Sequence, residues 1–154
     1  MKIMLDIEEF KKKINEKSRL MGVDPGKTRV GISICDENRK IATPYKTLEK
    51  KDFKSFKKEL NQIIEDFNID GIVIGNPIKM DGSIGSSAQS AKDLAINLSK
   101  YISLPVILWD ERFSSEGSFK IMNDLAINSS KKRKTLDKNA AAFILQGFID
   151  FLNK

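Results

Sequence analysis

The spacing of apolar residues changes at about residue 50, and this change limits the possible folds more than any other feature. Before it, three stretches are typical of strands joined by short turns, at residues 19–24, 28–36 and 40–48. After it, two stretches with apolar residues at helical spacing alternate with two short, wholly apolar strands. These helices span 52–68 and 87–101, and these strands 71–75 and 104–109. Two more helices are predicted at 115–126 and 135–153.

This order of elements predicts an α/β fold with one mixed sheet of five strands and helices on both faces. The first three strands form an antiparallel meander, and the fourth and fifth run parallel to the first. A chain of 154 residues suits a single domain, 1–154. A helix at 6–17, with Asp6 and Glu9 as a capping pair, forms an N-terminal extension at about 1–18. We expect it to pack outside the main fold.

The chain contains no histidine and one cysteine, Cys35. These absences exclude His-dependent nucleophiles and His general bases, and they nearly exclude a zinc site. Hydrolytic chemistry must therefore depend on carboxylates, with Mg²⁺ or Mn²⁺ as the fitting cofactor. The N-terminus has no signal-peptide pattern, and no apolar run is long enough to span a membrane. We expect a cytoplasmic protein in which Cys35 is a small buried residue.

Carboxylates stand at two strand ends. Asp24 ends the first strand, and Asp110 and Glu111 follow the last one. Because parallel strands end at the same edge of a sheet, where open α/β sheets bind ligands, these acids are expected to lie close together. Side chains alternate between the faces of a strand, so only one of Asp110 and Glu111 points the same way as Asp24. We favour Glu111 for its longer reach and keep Asp110 as the alternative.

A third acid, Asp137, lies in the last predicted helix. At about 100° per residue it lines up with an apolar, core-facing stripe made of Ala141, Ile144, Phe148 and Phe151. A carboxylate on a buried stripe is costly unless it is paired or binds a cation. The alternative is an acid in the first turn that favours the helix dipole. A cluster of carboxylates without histidine suits two-metal hydrolysis of a phosphodiester.

The net charge of +6 and the pI of about 9.3 suggest a polyanionic partner such as nucleic acid. Lys27 and Arg29 follow Asp24 and either contact phosphate or are plain surface charges. The loop at 128–134 is either solvated or binds a nucleic-acid backbone through its four cations, Lys131, Lys132, Arg133 and Lys134. Trp109 is expected in the core rather than stacked on a base.

Four blocks carry a resemblance to a known family: GVDPGKTRVG at 22–31, GNPIKMDGS at 75–83, DERFSS at 110–115 and DKNAAAFILQGFID at 137–150. The chain resembles the YqgF family, also called RuvX, of Holliday junction resolvases or pre-16S rRNA nucleases, over about residues 20–151. The resemblance implies a ribonuclease H-like fold. It also implies that Asp24, Glu111 and Asp137 are the metal-binding catalytic acids and that Arg112 contacts phosphate.

Three features depart from the family pattern. Lys79 stands where the family usually has Asn, so a changed contact with nucleic acid is expected there. The segment EGSF at 116–119 is atypical, and the N-terminal helix lies outside the match. None of these departures touches the acids.

The resemblance implies a metal-dependent nuclease of structured nucleic acid, and maturation of the 5′ end of pre-16S rRNA in ribosome biogenesis is our first choice. The alternative is a resolvase of four-way DNA junctions, which would act as a two-fold dimer, whereas a monomer would weaken that alternative. Two lower alternatives are a non-catalytic RNA-binding assembly factor and a kinase-like nucleotide-binding module. The second needs two domains and a second phosphate loop, for which 154 residues leave no room.

Overall fold

A five-stranded mixed sheet with the order β3-β2-β1-β4-β5 forms the centre of the protein. The computed structural model describes residues 5–76, 86–110 and 133–154, with the backbone alone at 86–88 and 133–137. The strands are β1 (Arg19–Pro25), β2 (Arg29–Cys35), β3 (Ala42–Glu49), β4 (Ile69–Asn76) and β5 (Val106–Asp110). β2 pairs antiparallel with both β1 and β3, whereas β4 pairs parallel with β1 and β5. The predicted meander and parallel strands are therefore confirmed.

The described helices are α1 (Ile7–Lys13), α2 (Phe53–Phe67), α3 (Ser86–Tyr101) and α4 (Arg133–Leu152). α1 begins with the predicted capping pair, in which the backbone N–H of Glu9 donates to Asp6 Oδ1 at 2.8 Å. α2 begins after its N-cap Asp52 and ends at Asn68, whose left-handed φ of 52° stops the helix. The helix predicted at 115–126 lies outside the described residues.

Alternate residues of each strand pack against different helices, as expected from the pleat. One face of the sheet packs against α2 and α3 through residues such as Met21, Val23 and Ile74. The other face packs against α1 and α4 through Leu20 and Trp109, which is 1% exposed and so in the core, as predicted. The expected helices on both faces are confirmed. These two surfaces are called the α2/α3 face and the α4 face below.

α1 packs directly on the sheet, so the expectation that it lies outside the main fold is wrong. Phe10 is fully buried, and its ring centroid lies 5.4 Å from that of Phe148 in α4. Gly71 in β4 makes room for it, because a Cβ there would lie only 2.7 Å from Phe10 Cζ. The periodicity of α1 revealed its apolar face, but the docking place depends on a glycine about sixty residues away.

α4 begins two residues earlier than predicted, so Arg133 and Lys134 belong to the helix rather than to the preceding loop. Residues 141–145 are all buried, because the helix packs within the protein on more than one side. A single core-facing stripe was therefore too narrow an expectation. Phe151, predicted on that stripe, is 36% exposed in the last turn, although its ring lies 5.3 Å from that of Trp109.

Cys35 is 2% exposed, and its Sγ accepts a hydrogen bond from the backbone N–H of Leu20 at 3.2 Å. The prediction of a small buried residue is confirmed. In the part of the chain that the structure describes, no helix combines the length and the apolar character that crossing a membrane requires.

Candidate functional site

Asp24 lies one residue before the end of β1, at the edge of the sheet where the parallel strands β1, β4 and β5 end. It is half-buried, and its register partner in β2 is Gly31. On the β4 side, Val23 lies beside Ile74, so that Gly75 is the next residue along. Neither glycine has a side chain beside the carboxylate.

Asp110 ends β5 at the same edge but on the other face of the sheet. Leu108 packs with the α2/α3 face and Trp109 with the α4 face. Asp110, two residues after Leu108, therefore belongs to the α2/α3 face, whereas Asp24, one residue after Val23 of that face, belongs to the α4 face. Alternation thus separates Asp110 from Asp24.

α4 makes its closest approach to β1 at Gly22, two residues before Asp24. A Cβ at Gly22 would lie 2.6 Å from Leu145 Cβ and 2.8 Å from the carbonyl oxygen of Ala141. Ser33 Oγ in the neighbouring β2 donates a hydrogen bond of 2.7 Å to the same Ala141 oxygen. The absence of a side chain at Gly22 and this buried hydrogen bond together hold the helix against the sheet.

The direction of α4 follows from the contacts of its C-terminal half. Gln146 Nε2 donates to the carbonyl oxygen of Lys40 at 3.0 Å, and its Oε1 accepts from the N–H of Ala42 at 2.9 Å. Asn153 Nδ2 donates to the carbonyl oxygen of Arg39 at 2.8 Å. These partners lie in the β2–β3 connection and at the first residue of β3, at the edge of the sheet where β1 begins. The N-terminal end of α4 therefore points toward the edge where β1 ends.

Asp137 and Asp24 are displaced by similar amounts from the contact between Ala141 and Gly22. Asp137 lies one turn before Ala141, about 6 Å along the helix, and Asp24 lies about 7 Å beyond Gly22. Both steps run toward the same edge, so the backbone of α4 carries Asp137 toward the edge at which Asp24 lies. The helix dipole favours acids most within the first turn of a helix. Because α4 begins at Arg133, Asp137 lies beyond that turn.

The turn after Asp24 is tight at Gly26, where a Cβ would overlap the carbonyl oxygen of Arg29. Lys50 Nζ donates to the carbonyl oxygen of Gly26 at 3.1 Å and ties the end of β3 to this turn. Lys27 is exposed at the tip. Arg29 is half-buried and, by alternation from Gly31, lies on the α4 face with Asp24. The structure thus distinguishes two cations that the sequence analysis treated alike.

Several predicted site residues lie outside the described residues: Lys79, Glu111, Arg112, Lys131 and Lys132. For Arg133, Lys134 and Asp137 the structure describes the helix backbone, and their side chains lie outside the described part. Among the side chains described, no three acidic or cysteine groups lie close enough together to hold a metal ion. Of the predicted side chains, those described near this edge are Asp24, Lys27, Arg29 and Asp110.

Other features that often mark a site lie at the opposite edge of the sheet. A surface depression there is lined by residues that include Asn15, Arg19 and Asp70. The pKa of Asp36 is lowered, because its carboxylate accepts hydrogen bonds from the N–H groups of Ile41 and Lys40. Burial raises the pKa of the Cys35 thiol. These features lie around the starts of β1 and β4 and around the β2–β3 connection, at the edge of the sheet opposite to Asp24.

The sequence analysis missed Gly31 and Gly75 as the two neighbours of Asp24 in the sheet. Both glycines are visible in the sequence, one closing GVDPGKTRVG and one closing GIVIG. Their common place beside one carboxylate depends on strand register, which single-strand patterns do not reveal.

The sequence matches the RuvX family, described as Holliday junction resolvase, over residues 18–151. The chain belongs to the RuvX family. A RuvX relative from Pelagibacter ubique, named "Putative pre-16S rRNA nuclease", is 57% identical over 150 residues, covering 97% of this chain and 99% of the relative. A relative of the same name from Zymomonas mobilis is 35% identical over 145 residues, covering 94% and 88%. This RuvX chain is therefore a nuclease, and nucleic acid is its substrate.

Solved structures confirm that this RuvX chain has the predicted ribonuclease H-like fold. Thermus thermophilus RuvC bound to a Holliday junction has a TM-score of 0.57 at 12% identity, covering 88% of this chain and 96% of RuvC. The fowlpox virus resolvase bound to a Holliday junction has a TM-score of 0.54 at 12% identity, covering 88% and 99%. At such low identity the likeness concerns the fold alone.

Proposed function

We propose that this RuvX chain hydrolyses phosphodiester bonds of precursor 16S rRNA and so matures its 5′ end during ribosome biogenesis. The observation that supports this most is the relative from Pelagibacter ubique, which carries the pre-16S rRNA nuclease name and is 57% identical along nearly the whole of both chains. This relative is similar enough for a shared substrate class to be the simplest assumption.

Asp24, Glu111 and Asp137 are the proposed catalytic acids and the proposed ligands of Mg²⁺ or Mn²⁺. The donor set suits these ions, since carboxylate oxygens are the ligands that hard cations prefer. Gly31, and Gly75 by continuation of the register, lie beside Asp24 and add no side chain there, which supports the same proposal. The chemistry that such ions supply when bound is the activation of a water and the stabilisation of the leaving oxygen.

Glu111 is proposed over Asp110 as the second ligand, with Asp110 as the alternate. Asp110 belongs to the α2/α3 face, away from Asp24, which supports Glu111 as the acid of this pair that serves Asp24. The longer side chain of Glu111 adds reach toward a shared ion.

Basic residues around the acids are proposed to hold the phosphates of the substrate. Arg29 shares the α4 face with Asp24, which supports a contact with the phosphate being cleaved. Lys27 at the tip of the exposed turn is proposed to contact a neighbouring phosphate. Further phosphate contacts are proposed for the remaining cations that the sequence analysis identified: Lys79, Arg112, Lys131, Lys132, Arg133 and Lys134.

Cleavage of four-way DNA junctions is the second candidate, favoured by the description of the family that the sequence matches. The two candidates are separated by incubating the purified chain with a 5′-extended precursor of 16S rRNA and with a synthetic four-way DNA junction, each with Mg²⁺ and with Mn²⁺. The first proposal expects trimming of the RNA and an intact junction. Symmetric cutting of the junction without RNA cleavage would reverse the order.

The proposal also concerns the molecule as a whole. We propose that residues 1–154 act as a single nuclease domain in the cytoplasm, with α1 docked on the sheet through Phe10. A resolvase must cut two symmetric strands and so acts as a dimer, whereas RNA trimming needs one active site. A monomer by light scattering is expected of the rRNA nuclease, and a stable dimer of the resolvase.

A further inference from the structure

We propose that a basic and aromatic surface on α2 binds a single-stranded segment of the nucleic acid beside the cleavage site. This α2 surface consists of Lys51, Phe53, Lys54, Lys57, Lys58 and Tyr101. The inference rests on the proposed function in one respect, namely that nucleic acid reaches the edge of the sheet at Asp24. It adds a second contact area to that substrate.

The N-terminal end of α2 carries more cations than acids. Its N-cap is Asp52, its first turn contains Lys54 and no acidic residue, and Lys57 and Lys58 follow in the next turn. α1 has acids instead, with Glu8 and Glu9 in its first turn and lysines in its last. An anionic partner would explain why α2 has Lys54 in the turn where the helix dipole disfavours a cation.

The aromatic rings supply a place for bases. Tyr101 is 57% exposed and Phe53 is 37% exposed, and their ring centroids lie 5.6 Å apart. Lys57 Nζ lies 4.8 Å from the centroid of the Tyr101 ring, so a cation and a stacking surface are adjacent. Lysines for phosphates beside exposed rings for bases are typical of proteins that bind single strands. In a duplex the base faces are already stacked and closed to such rings.

The α2 surface is connected to the candidate active site through Lys50. This side chain donates to the carbonyl oxygen of Gly26, two residues after Asp24, and Lys51 follows it directly in the chain. Lys51 is almost fully exposed, at 88% of its side chain, and its Nζ forms a surface ion pair of 3.6 Å with Glu49 Oε2. Arg29 pairs with Glu49 at the end of β3, so α2 begins at the same edge of the sheet as Asp24. Because α2 packs on the other face of the sheet, a strand with a phosphate at Asp24 has to pass around this edge, by the turn at Gly26, to reach α2.

Two triple variants test this surface, each in an Asp24→Asn background that prevents cleavage. The α2 variant combines the substitutions Lys51→Gln, Lys54→Gln and Lys58→Gln. The α1 control, which is matched in charge, combines Lys11→Gln, Lys12→Gln and Lys13→Gln. All six lysines are exposed, so both variants lose the same charge from the surface. Binding of fluorescein-labelled oligouridine and oligothymidine is measured by anisotropy over a range of salt concentrations.

The α2 variant is expected to bind about tenfold or more weakly and to lose about 2 from the slope of log K against log salt. The α1 control is expected to bind nearly as well as the parent. The α2 variant should melt close to the parent, because all three lysines are exposed and a surface ion pair contributes little to stability. Oligouridine and oligothymidine report whether RNA, DNA or both fit the surface.

Tyr101→Ala should weaken binding about fivefold or more through lost stacking, whereas Tyr101→Phe should bind like the parent. The inference would be overturned if both triple variants bound the oligonucleotides equally weakly. It would also be overturned if the α2 variant bound them as well as the parent, and this result would favour a protein partner for the α2 surface. The proposed function fails separately, if the unmodified chain cleaves neither precursor rRNA nor the junction.

Discussion

At the scale of single residues, Asp24 is the acid whose environment the structure describes best. It lies at the edge where the parallel strands end, beside Gly31 of β2. Val23 pairs with Ile74 of β4, so Gly75 is the next residue of β4 on that side. Asp24→Asn keeps the size of the side chain and removes its charge. Losing a residue that only supports a metal ligand typically costs about 10- to 100-fold in activity. We expect Asp24→Asn to reduce cleavage by more than this and to retain substrate binding. Single-turnover cleavage and a binding titration measure the two effects, and unchanged cleavage would exclude Asp24 as a ligand.

The alternation of faces in β5 makes a second prediction at this scale. Glu111→Gln should abolish cleavage as Asp24→Asn does, whereas Asp110→Asn should leave cleavage within about tenfold of the parent, since Asp110 lies on the α2/α3 face. Each variant is the matched control of the other, because both lose one negative charge at adjacent positions. The reverse pattern would make Asp110 the ligand.

At the scale of elements, the contact of α4 with β1 is expected to be intolerant of added atoms. Gly22→Ala should destabilise the protein by about 1–3 kcal/mol, because its Cβ would meet the backbone oxygen of Ala141. It should also reduce cleavage strongly, since α4 carries Asp137. Gly71→Ala is the control: its Cβ meets the ring of Phe10, far from the edge at Asp24. For Gly71→Ala we expect a comparable loss of stability, measured by unfolding in urea. Cleavage by this variant should be normal at urea concentrations below the unfolding transition.

The docking of α1 makes a further prediction at the scale of elements. Phe10 is fully buried between Gly71 and Phe148. Phe10→Ala should lower the free energy of unfolding by about 3–5 kcal/mol. Equilibrium unfolding in urea measures it. A loss below about 1 kcal/mol would mean that α1 contributes little and that the sheet is stable without it.

At the scale of the whole molecule, metal binding should stabilise the fold. The proposed ligands come from β1, from the residue that follows β5 in the sequence and from α4, so an ion bound to all three links separate parts of the chain. At a Mg²⁺ concentration of about a hundred times Kd, the parent should gain about 2.7 kcal/mol, or roughly 5–10 °C in Tm. EDTA should reverse the gain and stop cleavage. Asp24→Asn should show a much smaller gain, and an equal gain would place the ion elsewhere.

The predictability of the fold differed from one element to the next. The five strands and their directions were predicted, because alternation and short apolar runs are local signals. The position of α1 was predicted wrongly, since its partner Gly71 is distant in the chain. The burial around α4 was underestimated, because an apolar stripe shows which side of a helix is buried most and says nothing of what covers the other sides.

The candidate site was predictable in its chemistry and less so in its geometry. The absence of histidine pointed to carboxylates, and the strand ends pointed to Asp24 and to the pair Asp110 and Glu111. The sequence by itself therefore determined the order of elements, the kind of chemistry and the family, since these depend on local periodicity and residue identity. Only the tertiary structure decided the face of Asp110, the glycines beside Asp24 and the passage of α4 over Gly22. These depend on register and packing between segments far apart in the chain.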